Sequence, residues 1–242
     1  MGGVGVTAED FGVKGPRGWA FRGISLDAGP GSLIAVEGPS GSGRTSLLLA
    51  LTGRMKASEG TARVGELTLP KQSAAVRRVG ALANVAGVTD LDPALTVGEH
   101  LRERAALQRR FGDSVRAMLR PRSMGVPPLE RSREWGRAVD AGLRIERALT
   151  AAGLDLDALP KGSRTAVRDL ERPQELRLSI ALALVGRPAL LGVDDVDLKL
   201  SDAERAEIWD LLRSLADSGT TVVAVSTEGT EKADARAQTG RA

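Results

Sequence analysis

Apolar and polar positions along the chain divide it into short apolar runs and helical repeats. Ser32 to Glu37 (SLIAVE), Ala189 to Val193 (ALLGV) and the β-branched Thr220 to Ser226 (TTVVAVS) read as buried strands. Arg44 to Leu51 (RTSLLLAL) reads as a helix closed by Gly53. Thr96 and Glu99 form a capping box that predicts a helix through roughly Leu107. Ser201 and Glu204 form a second, after which Ile208, Leu211, Leu212 and Leu215 line one helix face. Val139 to Ala152 and Leu176 to Leu184 also carry helical spacing, the latter ended near Gly186 and Pro188. Between Gln108 and Arg137 eight Arg stand against three acidic residues, and Pro121, Pro127 and Pro128 interrupt the pattern. That segment predicts a mobile basic loop, with one short helix around Ser114 to Leu119. The last dozen residues are polar and predict a frayed end. Strands alternate with helices, so the expected core is a mainly parallel sheet covered by helices.

Composition narrows the chemistry. The chain has 242 residues, room for one large domain or two small ones. It has no cysteine, which excludes disulfides, thiolate metal sites and thiol catalysis. Its single histidine, His100, leaves no His-based triad or metal cluster, and its place early in a helix beside Glu99 reads as structural. The net charge of +3, from 34 basic and 31 acidic residues, gives no argument for a nucleic-acid partner. No apolar run approaches the roughly 18 residues of a membrane span. The opening MGGVGVTAED lacks the pattern of a secretory signal. The expectation is a soluble, cytoplasmic α/β protein.

The strongest chemical signal is a strand, a glycine-rich turn and a helix in immediate succession. Gly38-Pro39-Ser40-Gly41-Ser42-Gly43-Arg44-Thr45 matches the phosphate-loop pattern G-x-x-x-x-G-K-[ST], with Arg for Lys. Glycines let successive N–H groups point into one concavity that suits phosphate oxygens. The following helix adds its positive N-terminal end. Thr45 offers a hydroxyl to Mg²⁺, and Arg44 a cation to the terminal phosphates. Arg keeps the charge but is longer, planar and forked. Asp194 and Asp195 close the ALLGV run, where a carboxylate suits a metal ion.

The lead-in FRGISLDAGPGSLIAVEGPSGSGRTSLL resembles the opening strands and Walker A loop of the ATP-binding cassette family, the nucleotide-binding subunits of ABC transporters. Leu170 to Val196 (LERPQELRLSIALALVGRPALLGVDDV) resembles that family's signature, helix and Walker B stretch without a gap. TVGEHL and TTVVAVSTE resemble the segment after its Q-loop and its switch strand. The resemblance implies a P-loop NTPase core with a mainly parallel sheet, plus a helical subdomain and a small N-terminal β part. It implies one cassette domain, with core 1–84 and 170–230, helical subdomain about 85–169 carrying the basic insertion 108–137, and a polar tail 231–242. ATP and Mg²⁺ would be bound by Gly38, Pro39, Ser40, Gly41, Ser42, Gly43, Arg44, Thr45 and Ser46, with Thr45 and Asp194 on the metal and Asp195 at the catalytic glutamate's position. The implied partners are a separate transmembrane permease subunit and a second nucleotide-binding subunit. The chain would then lie at the inner face of the membrane.

Departures from the family pattern fall mostly on one side. The signature's Ser-Gly-Gly becomes Glu171, Arg172 and Pro173, the Q-loop glutamine becomes Asn84, and the switch histidine becomes Thr227. The D-loop becomes Leu198-Lys199-Leu200-Ser201. Gly15 falls where an adenine-stacking aromatic belongs, with Trp19 nearby. Groups that bind phosphate and Mg²⁺ within one chain are kept, while those that complete a two-chain catalytic site are altered. The expectation is slow hydrolysis and a heterodimer rather than a homodimer. A regulatory or structural subunit of the same fold is the alternative. The N-K-x-D motif of a GTPase and the long heptads of a repair ATPase are both missing from the sequence.

Overall fold

The computed structural model describes residues 2–16, 18–118 and 130–240. In chain order its strands and helices are β1 (Val6–Gly15), β2 (Gly18–Ala28), β3 (Leu33–Glu37), α1 (Arg44–Leu51), β4 (Glu59–Val64), β5 (Leu67–Leu69), α2 (Ser73–Val79), β6 (Gly80–Ala83), α3 (Val97–Met118), α4 (Glu130–Ala151), α5 (Arg172–Leu184), β7 (Leu190–Val193), α6 (Asp202–Asp217), β8 (Thr221–Ser226) and β9 (Ala235–Gln238). They form two compact units, residues 1–90 with 187–242, and residues 91–186.

The first unit holds two sheets. One is parallel and five-stranded, in the order β6-β7-β8-β3-β9; the other is four-stranded, in the order β2-β1-β4-β5, with antiparallel pairing. The three runs read as buried strands are β3, β7 and β8, and every residue in them is buried. Continuous apolar runs are what a parallel sheet covered on both faces demands. Register is direct: Leu33 faces Val222 and Glu37 faces Ser226 across β3 and β8. The apolar side of α1 joins this core through Leu47, Leu48 and Leu51, all fully buried. Each such leucine contributes about 1.5–3 kcal/mol on leaving water. Phe11 and Phe21 extend the core across the antiparallel sheet, their rings 6.0 Å apart and tilted. Helix α6 is capped by Ser201 and Glu204 as expected, and Ile208, Leu212 and Leu215 of the anticipated face are buried, together with Trp209.

The C-terminal segment departs from expectation. Instead of fraying, Ala235–Gln238 forms β9, parallel to β3 at the edge of the sheet. Its side chains give little signal, because only Ala237 among them is buried. The pairing is made by backbone and by Asp234, whose carboxylate accepts from the Leu33 N–H at 2.8 Å and from Arg213 at 2.6 Å.

The second unit is helical among its described residues. The Thr96–Glu99 box opens α3 as expected, with Glu99 accepting from the Thr96 N–H at 2.7 Å. His100 is buried and its ring sits 3.2 Å from the Asp92 carbonyl, the structural role anticipated. The expected basic loop is a correction: α3 continues to Met118 and α4 already begins at Glu130. All three prolines taken as breakers lie in 119–129, outside the described residues, as does part of the anticipated short helix. Neither helix contains proline, so nothing in either removes a ladder donor. Helix α5 starts at Arg172, earlier than its apolar pattern, because Pro173 fits the first turn and Glu171 with Gln174 builds a capping box.

Candidate functional site

The loop Gly38–Gly43 joins β3 to α1. Gly43 stands at the N-cap of α1 with φ 91°, and a Cβ there would lie 1.9 Å from the Ala20 carbonyl oxygen. At Gly38 a Cβ would meet the Thr239 carbonyl oxygen at 2.3 Å. Packing as well as backbone freedom therefore requires glycine at both. Pro39, Ser40 and Gly41 are exposed, and the Ser42 N–H donates back to the Pro39 carbonyl at 3.1 Å. The first helical bond runs from the Leu47 N–H to Gly43, which leaves the N–H groups of Arg44, Thr45 and Ser46 outside the helical ladder. The first turn of α1 carries no acidic residue of its own.

Two residues that sequence reasoning missed support this loop. The Ser42 hydroxyl is buried against that of Thr239 at 2.6 Å, and the Thr239 N–H donates to the Glu37 carbonyl at 2.8 Å. Thr239 thus acts as a strut beneath Ser42, and the polar C-terminal sequence gives no sign of it. Glu37, taken only as the end of a strand, is a buried carboxylate with Arg236 3.8 Å away and one oxygen without a hydrogen bond.

Opposed to the loop's helical end is the carboxylate pair after β7. Asp194 is buried, and its N–H donates to the Ala83 carbonyl at 3.1 Å, which extends the β6–β7 ladder by one residue. Its backbone carbonyl accepts from the Asn84 amide at 2.7 Å. Burial pushes the Asp194 carboxyl up to about 6; a hydrogen bond from the Thr45 hydroxyl opposes this, and the neighbouring Asp195 adds to it. Asp195 takes a left-handed backbone, φ 44°, and its N–H donates to Asp194 Oδ1 at 3.1 Å. Arg44 Nη2 lies 3.9 Å from Asp195 Oδ1. The Arg44 side chain is only 10% exposed, and its Nη1 has no hydrogen-bond partner. An unsatisfied buried donor costs about 1–3 kcal/mol.

Arg44, Thr45, Asp194 and Asp195 are therefore brought together. The donor set suits Mg²⁺: a hydroxyl and a carboxylate are hard oxygen ligands, and a dication would offset the unfavourable burial of Asp194. Among the described residues no cluster of three or more His, Cys, Asp or Glu side chains gathers, so such an ion would draw its remaining ligands from phosphate and water.

At the switch position, Thr227 is committed elsewhere. Its N–H donates to Asp197 Oδ2 at 2.7 Å, and its hydroxyl donates to the same oxygen. Trp19 is half-buried, with Arg22 4.8 Å and Lys14 5.6 Å from the centre of its ring. In the helical unit, the signature position is closed on itself. Gln174 accepts from the Glu171 N–H at 3.0 Å, the Glu171 carboxylate turns back on the helix start, and Arg172 pairs with Glu175 at 3.1 Å.

Comparison with known proteins supplies an independent line. A family model described as ABC transporter matches residues 21–197. The daunorubicin resistance ATP-binding protein DrrA3 of Streptomyces coeruleorubidus is 29% identical over 216 residues, 89% of this chain and 57% of that protein. The Nod factor export ATP-binding protein I of Paraburkholderia xenovorans is 30% identical over 205 residues, 83% of this chain and 55% of that protein. The chain thus spans a little over half the length of these curated relatives. Among solved structures, MJ1267, an ATP-binding cassette of an ABC transporter, superposes with a TM-score of 0.72 at 16% identity, over all of this chain and 88% of the other. The cbiO1 protein of Clostridium perfringens, part of the transporter complex cbiONQ, gives 0.66 at 19% identity over 92% and 78%. At such identities the superpositions speak for the fold alone, a P-loop α/β core with an antiparallel β part and helices. The family model covers most of the sequence, including the loop and both aspartates: the chain belongs to the ABC transporter family.

Proposed function

We propose that this chain is the ATP-binding part of an ABC transporter, that it binds ATP with Mg²⁺ through residues 38–46, and that it acts on a membrane-spanning partner. One observation carries the reading: the open helix start after Gly43 lies beside the Thr45–Asp194 pair, with the Arg44 cation between phosphate loop and carboxylates. The loop N–H groups and Arg44 would hold the phosphates. Thr45 and Asp194 would hold Mg²⁺, which when bound supplies charge neutralisation at the phosphates. Among the described residues no helix is long and apolar enough to cross a membrane, so the translocation path is assigned to another polypeptide segment or subunit. The relatives named for daunorubicin resistance and Nod factor export favour an export role.

Hydrolysis is slow in this account. Phosphoryl transfer depends on positioning within fractions of an ångström. Asp195 is one methylene shorter than the family's glutamate, and Thr227 offers no imidazole and is already bonded to Asp197. The commitment of Thr227 favours, as second reading, a subunit that responds to nucleotide without turning it over.

Equilibrium titration with labelled ATP tests the site. With Mg²⁺ present, Thr45→Ala is expected to weaken binding about tenfold, the ~1.4 kcal/mol of one lost charge-assisted contact. Without Mg²⁺ the variant and the wild type should bind alike, because the hydroxyl acts through the metal. Equal binding under both conditions would contradict the assignment.

A further inference from the structure

Resting on the nucleotide reading, we propose that Arg44 is a contested cation: Asp195 and the terminal phosphates of the nucleotide compete for its guanidinium, so Asp195 restrains binding until it is displaced.

A lysine ammonium is a compact point charge, whereas arginine presents a planar fork with donors on separate arms. In this structure one arm, Nη2, faces Asp195 Oδ1 at 3.9 Å, an ion-pair distance too long for a hydrogen bond. The other arm, Nη1, is buried and has no partner. The side chain as a whole is 10% exposed. The cation is therefore half-satisfied, held by one carboxylate at long range. A phosphate oxygen that comes within hydrogen-bond distance of Nη2 makes a closer charge-assisted contact than Asp195 does.

The two partners differ in freedom to move. Arg44 opens α1 and is packed into the unit, while the Asp195 side chain is 38% exposed and can be solvated once it lets go. Its left-handed backbone and its N–H bond to Asp194 fix the main chain, so release needs only a side-chain rotation. Asp194 also faces the guanidinium electrostatically, but it is buried and occupied by Thr45 and the Asp195 N–H. Loading the phosphates thus leaves Arg44 in place on the ligand and releases the Asp195 carboxylate toward solvent.

The test is equilibrium binding of a non-hydrolysable ATP analogue with Mg²⁺, with AMP as control, so turnover does not enter. Asp195→Asn is expected to bind the triphosphate about fivefold tighter, the ~1 kcal/mol of a partly exposed ion pair, with AMP affinity unchanged. The gain should vanish in the Arg44→Ala background. No gain in Asp195→Asn overturns the proposal. So does a gain of equal size in the Arg44→Ala background, which would mean plain repulsion between Asp195 and phosphate. Circular dichroism checks the fold, and Asp195→Ser replaces the Asn variant if that one unfolds. Failure of the wild type and all variants to bind triphosphate would remove the nucleotide reading and this proposal together. Binding by the wild type without the Asn gain removes this proposal alone.

Discussion

Single residues decide whether the loop after β3 can exist. Gly43 is held by two independent constraints, a left-handed backbone and the Ala20 carbonyl 1.9 Å from where a Cβ would begin. Gly43→Ala is expected to cost about 2–4 kcal/mol, combining backbone strain and overpacking, read as a lowered urea midpoint. Loss of no more than a few tenths would show that β2 yields easily at Ala20. The pattern of glycines announced the loop in the sequence, since their spacing has a mechanical cause. The partners of the loop were not legible. Nothing local marks Thr239 as the strut beneath Ser42, or Asp197 as the acceptor for Thr227, because those contacts close over 197 and 30 residues of chain.

Among the elements, β9 is the instructive case. Its sequence, ARAQ, lacks the apolar run that announced β3, β7 and β8, yet it pairs with β3 through backbone hydrogen bonds that side chains do not encode. Asp234 fixes its entry by accepting from the Leu33 N–H and from Arg213, bonds that hold its carboxyl below the ordinary value of 3.8, Arg213 contributing most. A carboxyl held low stabilises the fold above its unfolded value, and that stability is lost as pH falls through the lower, folded value. Asp234→Asn should therefore flatten the acid limb of stability below about pH 4 and cost only about 0.5 kcal/mol at neutral pH, because the pair is partly solvated. Thermal melts of both proteins from pH 2 to 7 check it; parallel curves would mean that Asp234 does not anchor the strand. The helices α3 and α4 teach the converse lesson. The prolines of 119–129 occupy a shorter stretch than the basic segment around them, while the capping boxes at Thr96 and Ser201 are readable because each lies within four residues.

For the whole molecule, the family's motifs survive in order along the chain, while the departures concern partners that a single chain does not contain. Glu171 turned onto the start of α5, and Arg172 paired with Glu175, leave the signature segment internally satisfied. Were a second subunit's phosphates to face it, a segment so arranged would offer neither a free donor turn nor a neutral surface. ATP with Mg²⁺ alone is therefore expected to leave the chain monomeric in sedimentation velocity, and an ATP-dependent homodimer would contradict this. Both outcomes presuppose the phosphate site, which amide chemical shifts test most directly. In ¹⁵N-labelled protein titrated with ATP and Mg²⁺, the account predicts that the amides of Gly41, Gly43, Arg44 and Thr45 shift most and saturate together. Shifts confined to other residues, or none at millimolar nucleotide, would contradict it.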